Sequence, residues 1–441
     1  MNLQKELAKL LGAAQVSVQP AKLKEYARDF AGHDLGVPAA AAKPKTTAQV
    51  QALVRWARAR KVALTPVGAR TSFWASSKAG GAVAVDLSAM SKLLAVDPVE
   101  LTARAQAGAA IWALDDALRR KGFTVPMAPD GFGTATLASM VANDTSAGLG
   151  MFAGPASTQL VGLSAVLGTG EVLPMGASSV LGLPAFSRAG LPDLTGLLLA
   201  SEGALGIVTE VTLRIAPLPR RQTLELALPT SLETYRTLVA AASRARAGAP
   251  FEGWMNHSSI AARGDRTHIF LAAATEEELA AKRRLALSLL RGAGLPEAVP
   301  LASDPPRWQA PPPGKEFWKG VSIQLPYARI ADVYALWATK LRPRVAALAM
   351  PDGFLRTYFG REGTAALFGW SYRESAEPAS AALAEELRRT LAPWGIPYRI
   401  GTVWQAAVKG RIDPAYLGVM KQMKKVFDPD GILNPGVGVF R

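Results

Sequence analysis

The chain has 441 residues, 49% of them hydrophobic and 19% charged, and a formal net charge of +15. At about 100–200 residues per domain that length suggests two or three domains, with ample chain for a buried core. There is no cysteine, which excludes disulfides, thiolate catalysis, a cysteinyl flavin and any iron–sulfur cluster held by this chain. The basic residues are dispersed rather than clustered, so nucleic acid is not an expected partner.

At the start, Leu3, Leu7, Leu10 and Leu11 recur at helical spacing with Lys5, Glu6 and Lys9 between them, an amphipathic helix rather than a signal peptide. The most apolar later stretch, 180–200, is broken by Pro184, Arg188, Pro192 and Asp193, so no transmembrane segment is expected. The expectation is a cytoplasmic protein, with peripheral contact at the inner face of a membrane compatible with its basic charge. Next, Thr46 or Thr47 caps a helix whose Val50, Leu53, Val54 and Ala57 share one face. A short strand, 62–65, ends at Pro66, and a second, 82–87, follows a glycine-containing loop. Strand, helix and strand then follow between 101 and 126, with Gly122 as the helix stop. Residues 163–176 read as a hairpin turning through Gly168, Thr169 and Gly170. Pro217 and Pro219 mark a boundary. Beyond it strands and helices restart as an α+β region with an antiparallel sheet, divided by a proline-rich loop, and the tail is a helix with a turn-rich end. The reading is α+β, divided 1–219, 220–410 and 411–441.

Three stretches carry the chemistry. The loop Pro66–Gly81, which opens Pro66, Val67, Gly68, Ala69, Arg70, Thr71, Ser72, lies between two strands, where backbone N–H groups and hydroxyls can be aimed at a pyrophosphate. No G-x-G-x-x-G stands between strand and helix there, so a Rossmann reading fails. The stretch 128–150 packs Pro129, Gly131, Gly133, several Thr and Ser residues and Asn143 together, small and hydroxyl side chains that let a flat ligand press on backbone. The third, SEGALGIVTE, sets Glu202, Gly203, Gly206 and Ile207 between two buried segments, and glycine there permits close approach.

In this order and spacing the motifs PKTTAQVQALVRWA, TPVGARTS, AVDLSAM, TATLASMVANDTSAG, VGLSAVLGTGEVLPMG, LLLASEGALGIVTEVTLRIAPLP and VFDPDGILNPG resemble the vanillyl-alcohol oxidase family. Its FAD-binding domain is also called PCMH-type. The glycolate oxidase D-subunit and D-lactate dehydrogenase branch is the most similar. The resemblance covers about residues 20–220 and the last 30. It implies a two-subdomain PCMH-type FAD-binding domain, an α+β cap (substrate) domain and a C-terminal segment returning to the FAD site. By position it implies that Gly68, Arg70, Thr71 and Ser72 face the pyrophosphate, with Pro66, Val67 and Ala69 beside them at the cofactor. Asp130, Thr134, Ser139, Ala142 and Asn143 would line flavin and ribityl chain. Glu202, Gly203, Gly206 and Ile207 would contact the adenosine side and the ring surroundings, and Asn434 would close the site.

Two departures stand out. Gly68-Ala69-Arg70 replaces a run of glycines. The second half also lacks the histidines of the family's His-x-Gly-Asp-Gly-Asn and Glu-His-Gly motifs, so no catalytic metal is expected. FAD is expected to be non-covalent, since cysteine is absent and His33, His257 and His268 lie outside the pyrophosphate loop. The expected reaction moves hydride from a carbon bearing a hydroxyl while a base takes the hydroxyl proton. Arg356 is the candidate carboxylate anchor and Tyr358, two residues on, its polar partner on the same strand face. His257 is the candidate base, and Trp404 and Gln405 are candidates to shape the pocket. The substrate is expected to be a small 2-hydroxy acid. Electrons would pass to an iron–sulfur or cytochrome subunit or a quinone. Two other classes stay open: an alcohol or phenol oxidase, suggested by Trp254, Trp318, Trp370 and Trp404, and a non-catalytic flavin subunit of a larger complex.

Overall fold

The computed structural model describes residues 2–126, 133–145, 154–188, 190–246, 251–260, 264–301, 316–348, 352–361 and 363–440. Asp130 lies outside the described residues.

Two hydrophobic cores organise the chain. The first gathers apolar residues from Leu7 to Ile215 and takes in Phe427, Ile432 and Leu433 from the C-terminal end. It holds a four-stranded sheet ordered Val16–Ser17, Ala40–Ala42, Val83–Asp86, Leu64–Val67, in which the last three strands run parallel. The helix Thr47–Arg60 buries Val50, Leu53, Val54 and Ala57, and Thr46 caps it by accepting from the Gln49 N–H. Beside it an antiparallel sheet runs Leu93–Asp97, Thr102–Gln106, Ile207–Arg214, Leu160–Val166, Val172–Met175. The last two strands form the expected hairpin.

The second core runs from Leu224 to Val408. Its frame is an antiparallel sheet of eight strands: Val299–Leu301, Arg220–Leu228, Asp265–Ala273, Phe251–Ser259, Gly353–Phe359, Thr364–Arg373, Glu316–Leu325 and Ile396–Pro397. Alternation divides its two faces. On one face Thr357 meets Tyr235 of the helix Leu232–Ala245, and Tyr235 stacks on Tyr334 at 3.9 Å between centroids. Arg356 and Tyr358 therefore point to the other face, toward the first core. Trp254, Trp370 and Trp404 are wholly buried within this second core, which corrects their reading as pocket aromatics.

The two parts meet along the strand Glu316–Leu325. Buried Lys319 donates to the Ala31 carbonyl at 3.0 Å and pairs with Glu377 at 2.9 Å. Phe73 packs against Gly320, where a Cβ would come within 2.9 Å of its ring. The Trp74 indole donates to Ser322 Oγ at 2.8 Å. Among the described residues no helix is long and apolar enough to cross a membrane.

Candidate active site

A cleft opens between the two parts, with about 1540 Å³ of atom-free space, part of it open to solvent. Its first wall is the end of the strand Leu64–Val67 and the loop after it: Pro66, Val67, Gly68, Ala69, Arg70, Thr71 and Ser72, continuing through Phe73, Trp74, Ser76 and Ser77. The second is the start of the helix Leu137–Ala142, where Thr136 and Ser139 cap each other reciprocally. Ser139, Ala142 and Asn143 face the cleft. The third is Ser201, Glu202, Gly203, Gly206 and Val208, and the roof is Ser322, Tyr358, Ala365, Leu367 and Tyr398.

Local geometry explains why these residues arrive together. Glu202 takes φ +52 and Gly203 φ +75, a left-handed bend that turns the chain between Leu198 and the strand Ile207–Arg214. The Glu202 N–H donates to the Ala142 carbonyl at 3.0 Å, which binds the second wall to the third. Asn434 completes the seam: its Nδ2 donates to the carbonyls of Ser76 at 2.9 Å and Glu202 at 2.6 Å. It also accepts from the Lys78 N–H at 3.2 Å. Asn434 thus braces two walls from behind rather than lining the cleft.

Glu202 is buried. Its Oε1 accepts from the N–H groups of Ile400 at 3.2 Å and Gly401 at 2.9 Å, where the cap returns to the first domain. Burial pushes its carboxyl above the ordinary value, against those donors and the nearby Arg399 charge.

The remaining sequence candidates are distributed unevenly. Thr134 is exposed and away from the lining. Ile207 is buried in the core, because its neighbours Gly206 and Val208 take the cleft face and alternation sends it the other way. Arg70, at φ +58, points its guanidinium over the Tyr26 ring and donates to the Glu25 carbonyl, away from the cleft centre. Tyr358 lines the cleft; Arg356 and His257 do not. Arg356 Nε donates to His257 Nδ1 at 3.2 Å. Burial, then the Arg356 and His268 charges, lower the His257 pKa to about 3. A group so acidic is a weak base at neutral pH. Trp404 is in the cap core, and Gln405 ties down the C-terminal turn by donating to the carbonyls of Gly436 and Gly438. Sequence reasoning missed Phe73, Trp74, Ser76, Ser322 and Tyr398. The first three lie within the loop 66–81, which was the available signal.

The lining suits a long dinucleotide: hydroxyls and backbone donors from residues 68–77, small residues along the second wall, and an apolar roof. Asn143 Oδ1 is buried there with no hydrogen-bond partner among the described residues, an acceptor open to a ligand donor. Among the described residues no group of three or more His, Asp or Glu side chains is arranged to hold a metal ion.

Comparison with known proteins bears out the family resemblance. Residues 38–176 match the FAD binding domain model, and residues 400–437 match the C-terminal domain of FAD linked oxidases. The chain therefore carries an FAD binding domain together with the C-terminal segment of FAD-linked oxidases. It is 31% identical over 226 residues to D-2-hydroxyglutarate dehydrogenase of Xanthomonas citri pv. viticola, 51% of this chain and 47% of that one. To glycolate oxidase subunit GlcD of Bacillus subtilis it is 27% identical over 210 residues, 47% of this chain and 43% of that one. The chain thus spans about half the length of the curated relatives it matches. The structure of 4-ethylphenol oxidase from Gulosibacter chungangensis superposes with a TM-score of 0.80 at 18% identity, covering 99% of this chain and 96% of that one. That likeness is one of fold, and the fold is the PCMH type.

Proposed function

We propose that the protein is an FAD-dependent dehydrogenase that oxidises a small 2-hydroxy acid and passes the electrons to a quinone or a redox partner. In this reading residues 1–219 form the FAD-binding domain, 220–410 the cap and 411–441 the segment that returns to the cofactor. The observation that carries it is the cleft itself: the matched FAD domain supplies two walls, residues 201–208 the third, and the cap sheet lays Ser322, Tyr358, Leu367 and Tyr398 across the fourth. The relatives named for oxidation of D-2-hydroxyglutarate and glycolate support the substrate class.

Bound FAD supplies a hydride acceptor. Residues 68–72 would hold its phosphates through backbone and hydroxyl donors. Ser139, Ala142, Asn143 and Gly203 would let it lie against backbone, and Tyr358 would offer a hydroxyl to the substrate end. The cap excludes water from the reacting carbon. FAD is held without a covalent link in this reading. His33 Nδ1 is engaged by Asp29 at 3.0 Å, and none of the three histidines is in the cleft lining. The charge of +15 supports steering to an acidic carrier protein or an anionic membrane face.

The test is acceptor choice. With 2-hydroxy acids the purified protein should reduce a dye acceptor in a salt-sensitive way and consume little oxygen. Rapid, salt-independent oxygen consumption would identify an oxidase instead.

A further inference from the structure

Arg399 follows the short strand Ile396–Pro397 and is 4% exposed. Its guanidinium lies over the Tyr398 ring, 4.2 Å from the centroid, and Nη1 donates to the Tyr398 carbonyl. Its Nε and Nη2 have no hydrogen-bond partner among the described residues. A buried guanidinium with idle donors is costly, and so rarely stands without an acceptor to meet. Glu202 is the nearby carboxylate; its Oε1 is taken by the N–H groups of Ile400 and Gly401 and its Oε2 has no hydrogen-bond partner among the described residues, yet no ion pair joins it to Arg399.

The position adds to the chemistry. Tyr398 and Glu202 both line the cleft; Arg399 is not itself in that lining but lies directly behind it, stacked on Tyr398 and close enough for its charge to act on Glu202. Along the cap sheet Arg356 pairs in register with Leu367 and Leu367 with Ser322, and the Tyr398 N–H donates to the Ser322 carbonyl. Arg356 and Tyr398 are thus three strand spacings apart, roughly 14 Å. Leu367, Ser322 and Tyr398 form the roof between them. Neither arginine is in the cleft lining, and at that separation a single small carboxylate can engage only one. Arg356 has committed its Nε to His257 and rests over Phe354 at 4.4 Å, whereas Arg399 keeps two donors idle.

We propose that Arg399 is the carboxylate-binding residue of this site, its planar fork donating to the two carboxylate oxygens of a 2-hydroxy acid beside the cofactor cleft. This rests on the hydroxy-acid reading above and replaces Arg356 as the anchor in it.

The experiment titrates the FAD-loaded protein with oxalate, a carboxylate that offers no hydrogen to remove, and follows the flavin difference spectrum. Parallel samples are mixed anaerobically with 2-hydroxy acids. Arg399→Gln should weaken oxalate binding by roughly tenfold or more, the scale of a lost charge-assisted hydrogen bond. Arg399→Lys should fall between, keeping charge without the fork, and Arg356→Gln should have the smaller effect. Wild-type affinity in Arg399→Gln, with flavin still bleached by hydroxy acids, overturns the assignment and leaves the proposed function standing. A wild-type protein that loads FAD but responds to neither oxalate nor hydroxy acids overturns both. Failure of both Arg399 variants to fold and load FAD also overturns it, because the guanidinium would then be a structural donor.

Discussion

Arg356 and His257 face each other across neighbouring antiparallel strands, and the guanidinium Nε donates to the imidazole Nδ1 at 3.2 Å. That bond leaves the proton of the neutral imidazole on Nε2, while burial, then the Arg356 and His268 charges, lower the pKa to about 3 from an ordinary 6.5.

The sign of the effect on stability follows. A histidine whose folded pKa is depressed favours folding while both states are neutral, above about 6.5, and that contribution is lost as pH falls toward about 3. His257→Gln should therefore lose less stability than the wild type over that interval, by up to about 1.4 kcal/mol per pH unit. Thermal unfolding of both proteins at stepped pH checks this; parallel curves would show that His257 does not titrate as described.

Much of this architecture is legible in the sequence. Alternating strands and a capped helix at Thr46 are local signals, and the loop after Pro66 and the bend at Glu202–Gly203 announce themselves by residue type. The cap is harder to read. Trp254, Trp370 and Trp404 look like a pocket but pack a core, because exposure depends on which face of an eight-stranded sheet meets the helices. The roof residues Ser322 and Tyr398 are joined only by long-range pairing, which spacing along the chain does not reveal. Gly206 and Ile207 look equally near the cofactor in sequence and part company by a single step of alternation.

Glu202 makes a second test. Glu202→Gln keeps an acceptor for Ile400 and Gly401, whereas Glu202→Ala leaves both N–H groups unpaired at about 1–3 kcal/mol each. A carboxyl whose folded pKa is raised destabilises the fold as pH climbs through the unfolded value of 4.5 and beyond. Glu202→Gln should thus hold its melting temperature better than wild type from pH 4.5 upward, while Glu202→Ala melts lower at every pH. Equal melting of Gln and Ala variants would dismiss the seam.

Glycines supply a contrast. A Cβ at Gly401, itself at φ +52, would sit 1.6 Å from the Trp74 carbonyl oxygen. Gly401→Ala should break the contact between the cap return and the first wall, and lower both stability and retained FAD. Gly418, inside the helix Pro414–Phe427, has open space around its Cα, and Gly418→Ala should stabilise by about 0.5–1 kcal/mol. Chemical denaturation of the two variants measures the difference; equal midpoints would contradict the packing described.

At Gly68 a Cβ would approach Thr136 Oγ1 to 2.8 Å and Ser139 Cβ to 3.4 Å. Gly68→Ala should disturb the reciprocal cap of the second wall and weaken FAD binding with little change in apoprotein folding. Reconstitution of the apoprotein, followed by flavin fluorescence, reads the affinity; unchanged FAD affinity would remove Gly68 from the cofactor site.

The most direct measurement is anaerobic mixing of the FAD-loaded protein with a panel of D- and L-2-hydroxy acids, simple alcohols and phenols, followed at the flavin absorbance in a stopped-flow instrument. Rapid, saturable bleaching by a 2-hydroxy acid and none by alcohols or phenols is the result this account predicts. Bleaching by an alcohol or phenol alone, or by no compound in the panel, would contradict it.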